Sequence, residues 1–289
     1  MGKNKDEYFK HLSESLSYKF SLDCYSHYEK MICCRDKYVE LYNKYLEKQH
    51  NFDVVANSKE NVFGYIFSIS THFFDELLNN IVLGSYDSAH FSIRRIAENY
   101  VIFTFLINNG NSISDFFKQV SMNKHKHLVS SEVLRKQLSK EEIDKIEEEY
   151  RLIEEDIISY FGEETPLSKG KSNKLEKALR SNYYWAYRKF SFGDNISFRK
   201  LCDSIGNVDD YDAFSKSSNR VHSNNIFEYT LMMTSDYKEE MYLCYMYCWY
   251  MVRYIFRLRE NYPTLDFSEL DKALIELDAE IESIYSKGF

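Results

Sequence analysis

Apolar side chains recur along most of this chain at intervals of three and four residues, the spacing that gathers them on one side of an α-helix. Between Asp23 and Gln49 the recurring positions are Tyr25, Tyr28, Met31, Ile32, Tyr38, Leu41, Tyr42 and Tyr45. A shorter amphipathic helix is predicted before it, from Asp6 to Phe20, and Asn57 with Glu60 makes a capping box for a third helix reaching Val82. Ser85 to Asn109 reads as one helix, N-capped by Ser85 or Asp87 and closed ahead of Gly110. Its second half, Val101 to Ile107, is almost continuously apolar, which sends it to the core. Ser139 with Glu142 opens a strongly acidic helix in which Ile143, Ile146, Tyr150, Ile153, Ile157 and Tyr160 keep one apolar seam. That pattern belongs to a helix packed along the outside, or to a protruding hairpin. Ser197 to Ile205 makes a short helix ended at Gly206, and Asp209 or Asp210 begins the next, through Tyr229 and beyond. Ser235 caps a helix that is aromatic nearly all round and stops before Pro263. Asp266 or Ser268 starts the last one, with Leu270, Ala273, Leu274, Leu277, Ile281 and Ile284 as its seam. The expected fold is an all-α multi-helix bundle.

Composition agrees with this reading. Nine Gly and two Pro in 289 residues leave little turn chemistry for an all-β or α/β fold. The length suits one helical domain over residues 1–289, with Gly162 to Ser172 (GEETPLSKGKS) as the best loop or linker. With 25 Tyr and 21 Phe, wide aromatic contacts between helices are expected. The net charge of −8 argues against general affinity for nucleic acid or anionic membrane, though not against a local basic groove. The six cysteines show no CxxC, and Cys244 and Cys248 fall on one aromatic helix face, as small buried thiols do. The charged MGKNKDEYF start is not a signal peptide, and Asp6 stands where a myristoylation motif needs Ser or Thr. Met241 to Val252, the longest apolar stretch, is shorter than the roughly 20 residues that span a bilayer. A cytoplasmic protein with reduced thiols and no membrane partner is expected.

The candidate chemistry begins in the Ser85–Asn109 helix. His90, Arg94 and Glu98 are four residues apart and share a face of a helix bound for the core, where charges need partners. Ser218 and His222 are likewise four apart, with Asn225 and Tyr229 continuing that face. If these helices pack together, Ser218 and His222 meet Arg94 and Glu98, and the carboxylate holds both guanidinium and imidazole. A second feature is the basic, aromatic run from Lys169 to Lys189. There Lys171, Lys174, Lys177, Arg180 and Arg188 interleave with Tyr184 and Trp185. Lysines neutralise phosphates and exposed rings stack on bases, so this is the local RNA-binding signature. Its plainer reading is a surface helix with its aromatic side buried. His72 with Asp75 and Glu76 reads as a polar face, because di-iron bundles need a repeated Glu-x-x-His that the chain lacks. His125 and His127 lie in a lysine-rich, solvated tract. No metal and no cofactor is expected.

The segments IRRIAENYV, YYWAYRKF, SFRKLC and YDAFSKSSNRVHSN together resemble the bacterial DUF5677 family. Arg94 and Glu98 match its Arg-x-x-x-Glu helix, Trp185 its Trp segment, and Tyr211, Ser218 and His222 its Tyr…Ser…His helix. The resemblance covers residues 63–229. The helical layout of that family is similar to the HEPN group of RNA-cleaving and RNA-binding domains, which implies an HEPN-like core with flanking N- and C-terminal helices. HEPN nucleases carry His about four to six residues after an Arg. Here His222 follows Arg220 by two, and Asn224 and Asn225 stand at the expected place. A composite site would take its arginine, Arg94, from the other helix.

Two functions are expected from this. In the first, the chain is a metal-independent endoribonuclease of the kind used as a bacterial toxin or phage-defence effector. His222 is then general acid or base, Arg94 the phosphate-stabilising group, Glu98 its orienter, and Ser218 with Asn219 the phosphate-positioning residues. In the second, Arg94, Glu98, Ser218 and His222, with His90, Asn219 and Tyr211 around them, form a buried network that fixes helix register in a binding or scaffold protein. The partners these readings name are RNA, a second copy in a homodimer, or a co-encoded protein.

Overall fold

A computed structural model describes residues 22–48, 59–162, 179, 181–191, 194–221 and 236–286. All regular structure among them is helical: α1 (Leu22–Lys48), α2 (Lys59–Val82), α3 (Tyr86–Asn108), α4 (Ile113–Phe117), α5 (Gln119–Ser130), α6 (Glu132–Gln137), α7 (Lys140–Gly162), α8 (Phe198–Ser204), α9 (Val208–Val221), α10 (Asp236–Asn261) and α11 (Ser268–Ser286), with short 3-10 turns at Gly110–Ser112 and Tyr184–Lys189. The protein is an all-α multi-helix bundle. The helix expected over residues 6–20, the cap at Asn57 and the loop beyond Gly162 lie outside the described residues.

Local signals set many of the ends. Gly84 and Gly206 take φ of 66° and 73°, the left-handed conformation that stops α2 and α8 at little cost to a residue without Cβ. Ser139 and Glu142 form the predicted capping box: the Ser139 backbone N–H donates to the Glu142 carboxylate at 2.8 Å, and the Glu142 N–H donates to the Ser139 hydroxyl at 3.3 Å. Ser197 caps α8 by accepting from the Lys200 N–H.

The chain divides into two compact units. The first gathers residues 22–48, 65–100 and 209–286, and the second residues 59–64 and 101–208. In the first, α1, α2, α10 and α11 meet around an aromatic core. Tyr38 stands edge-on to Phe67 and Phe74 at 5.1 and 5.6 Å, and Phe74 in turn meets Tyr247 and Tyr254. Two buried hydroxyls in this core find acceptors: Tyr254 donates to the Ile96 carbonyl at 3.0 Å and Tyr247 to that of Met31 at 3.3 Å. The expectation of buried thiols holds for Cys244 and Cys248, and burial pushes the Cys248 thiol up to about 12.

The second unit builds its core on Trp185. Its ring stands edge-on to Phe105 at 5.5 Å and to Phe116 at 5.2 Å, and is 1% exposed. The predicted surface helix running into this segment is corrected here. Residues 184–189 form a 3-10 turn in which Tyr184, Trp185, Ala186 and Tyr187 are all buried, because four successive large or apolar side chains cannot share one α-helical face. The acidic α7 uses Ile153 and Ile157 as its buried seam, while Tyr160 lies near the surface.

Candidate functional site

The first unit brings together the two segments whose motifs drew notice in the sequence. Helix α3 presents Tyr86, His90 and Arg94 one turn apart, and α9 lies against that face in antiparallel sense: His90 meets Ser217 and Arg94 meets Phe214. The start of α10 closes the third side with Glu239, Glu240 and Tyr242.

His90 is the centre of this cluster and is 3% exposed. Its Nε2 lies against the Glu239 carboxylate, which can only accept, so Nε2 carries the proton and donates. Nδ1 lies 3.2 Å from the Ser217 hydroxyl, itself fully buried, and accepts from it in the neutral ring. The Tyr242 ring stacks on the imidazole with centroids 6.0 Å apart. The serine–histidine–carboxylate order is that of a proton relay, but the hydroxyl at its end faces protein rather than solvent.

Arg94 is half-buried, its guanidinium 4.7 Å from the Phe214 ring centroid in a cation–π contact. Glu98, one turn further on, pairs with Arg95 at 3.5 Å, and both Arg94 and Glu98 are engaged in further interactions. Ser218 is half-buried on α9 next to Ser217, the serine that meets His90, and Tyr211 is half-buried near the start of the same helix. The side chain of Asn219, together with His222, Asn225 and Tyr229, lies outside the described residues.

Two neighbouring polar groups were not foreseen. Glu240 accepts from the Tyr28 hydroxyl and from that of Tyr86 at 3.1 Å; burial first, and the Glu240 charge second, push the Tyr28 hydroxyl far above the ordinary tyrosine range. Asp210, fully buried, accepts two hydrogen bonds from Arg253 at 2.5 and 2.9 Å. The Arg253 guanidinium lies 4.2 Å from the Tyr100 centroid and 4.3 Å from that of Trp249. Burial raises the Asp210 carboxyl, and the guanidinium opposes the rise. A sequence signal for this pair existed: an arginine in the middle of a largely aromatic helix, as Arg253 is, needs a carboxylate. By local spacing alone Asp210 reads as a helix start.

The basic strip changes more. Tyr184 and Trp185 are 0% and 1% exposed, so neither ring can stack on a base, which corrects the expectation of an aromatic RNA-binding surface there. Arg188 is exposed, but its Nε donates to buried Asp115 at 2.7 Å and its guanidinium sits over Tyr160 and Tyr187. Lys171, Lys174, Lys177 and Arg180 lie outside the described residues. His72 is exposed and pairs with Glu76 at 3.2 Å, while Asp75 accepts from Arg35. His127 is exposed, and His125 stacks on Tyr150 with centroids 3.7 Å apart. Among the described residues no three His, Cys, Asp or Glu side chains gather as a metal site, and no helix is long and apolar enough to cross a membrane. Comparison with family models, with curated proteins and with solved structures finds no match to this chain.

Proposed function

We propose that the chain is an HEPN-like, RNA-directed protein that binds and cleaves RNA without a metal, in the manner of a toxin or phage-defence effector. One observation carries the reading. Arg94 and Glu98 on α3, and Tyr211 and Ser218 on α9, are the residues of the DUF5677-like pattern. They lie far apart in sequence, yet α3 and α9 pack directly on one another, with Arg94 against Phe214. In the proposed chemistry His222, four residues after Ser218, takes the proton of a ribose 2′-hydroxyl. The 2′-oxygen attacks phosphorus, the bond to the 5′-oxygen breaks, and that oxygen receives a proton, leaving a cyclic phosphate and a 5′-hydroxyl. Arg94 stabilises the added negative charge, Glu98 orients Arg94, and Ser218 with Asn219 positions the phosphate.

The second reading, a binding or scaffold protein with a structural network, is favoured by the burial of His90 and of Ser217, at 3% and 0% exposed. Incubation of the wild type, Arg94→Ala and His222→Ala with mixed cellular RNA separates the two. Discrete fragments from the wild type, lost in both variants at unchanged melting temperature, support cleavage. No fragments from a folded wild type, with Arg94→Ala lowering the melting temperature, overturns it in favour of the scaffold.

A further inference from the structure

The outer side of α10 carries a second apolar stripe that the core does not use. Tyr245, Trp249, Val252, Phe256 and Arg259 succeed one another at intervals of four, three, four and three residues, the repeat of a helix-pairing seam. Tyr245, Val252 and Phe256 are 45, 47 and 57% exposed. Apolar side chains exposed singly are ordinary, but a contiguous ridge of them marks an interaction surface. The stripe forms one wall of an open groove of about 520 Å3 between α10 and α11, with Cys248, Ile255 and Leu274 also lining it. Ile275, on α11, also borders the groove and is 69% exposed. The two helices are antiparallel. At one end Arg259 donates to Asp271 at 2.5 Å, and toward the other the charge of Asp278 acts on Cys248.

We propose that this face joins two copies of the chain, α10 against α10 in antiparallel register about a twofold axis near Val252, each ridge seated in the other's groove. A twofold interface requires one surface to be complementary to itself. Here the ridge is itself one wall of the groove, so a single surface offers both a crest to insert and a cleft to receive one. Charge selects the direction. Antiparallel pairing carries Arg259, whose side chain is 47% exposed, toward the end where the partner's Asp278 stands. Parallel pairing would instead bring two Arg259 guanidiniums together, a like-charge contact that costs association energy. The proposal is independent of the RNA reading, since none of these residues belongs to the α3–α9 cluster.

Light scattering on the full chain, at low and high micromolar concentration, tests it. The wild type is expected at twice 34.6 kDa. Val252→Glu and Phe256→Glu each change a half-exposed side chain outside the core. Each is expected to return the mass to one chain, with association weakened roughly 30-fold or more, as for a central anchor residue. Val252→Cys, next to the axis, is expected to form a linked dimer under mild oxidation, above the background set by exposed Cys33, while Arg259→Cys is not. A wild type that stays a monomer at every concentration overturns the proposal and leaves the groove to another occupant. A dimer that survives both glutamate substitutions, or that links through Arg259→Cys instead, overturns it as well.

Discussion

In the unit made of residues 22–48, 65–100 and 209–286, charged and polar groups meet between helices distant in sequence and out of water: Asp210 with Arg253, His90 with Glu239 and Ser217, Tyr28 with Glu240. In the unit made of residues 59–64 and 101–208 the charges mostly pair along the outside. Arg151 bridges Glu148 and Glu155 on its own helix, Arg135 reaches Glu147, and Lys118 reaches Asp156. Two pairs among the described residues depart from that pattern, both on buried Asp115: Arg188 at 2.7 Å and Lys118 at 3.6 Å. The number of ion pairs is therefore a poor guide to what holds each unit. An exposed pair is screened and costs side-chain entropy, whereas losing one partner of a buried pair strands the other where water cannot reach it.

The sharpest way to break this contrast is Asp210→Ala, which leaves the Arg253 guanidinium without its carboxylate. A loss of about 3–5 kcal/mol in urea unfolding is expected; a loss below 1 kcal/mol would mean the pair is solvated and the contrast wrong. His90→Phe keeps the ring contact with Tyr242 but removes the hydrogen bonds to buried Ser217 and to Glu239, with an expected cost of about 1–3 kcal/mol. A smaller effect depends on pH. Burial against Tyr150 holds the His125 imidazole below its ordinary range, so the folded chain prefers the neutral ring and the unfolded chain takes up the proton first. Stability from this residue is full above about pH 6.5 and drains away as pH falls through the lower folded value. The urea midpoint should therefore fall on acidification, less steeply in His125→Gln. Arg151→Ala, on the exposed side of α7, should leave the melting temperature within experimental scatter.

Helix positions were largely legible because apolar spacing and end signals are local. The Ser139–Glu142 box, the Gly206 stop and the Ser197 start of α8 depend on neighbours within one turn. The pairing of α3 with α9 was also within reach, since a polar face on a buried helix demands a polar face opposite. Which residue would answer it was not, because spacing assigns a face but no register across helices. Ser217, rather than Ser218, meets His90, and Glu239 completes the cluster from a helix that had read as aromatic core. The Tyr184–Lys189 turn failed for another reason: a run of aromatic and basic residues looks amphipathic until burial on all sides rules that out.

The chain holds two tryptophans, and the structure puts one in each unit: Trp185 sealed between Phe105 and Phe116, Trp249 half in water beneath a guanidinium. In the single-chain Val252→Glu variant their emission should differ in colour, blue for the dry indole and red-shifted for the wet one. Replacing either by phenylalanine would leave a single fluorophore to report on its own half of the molecule.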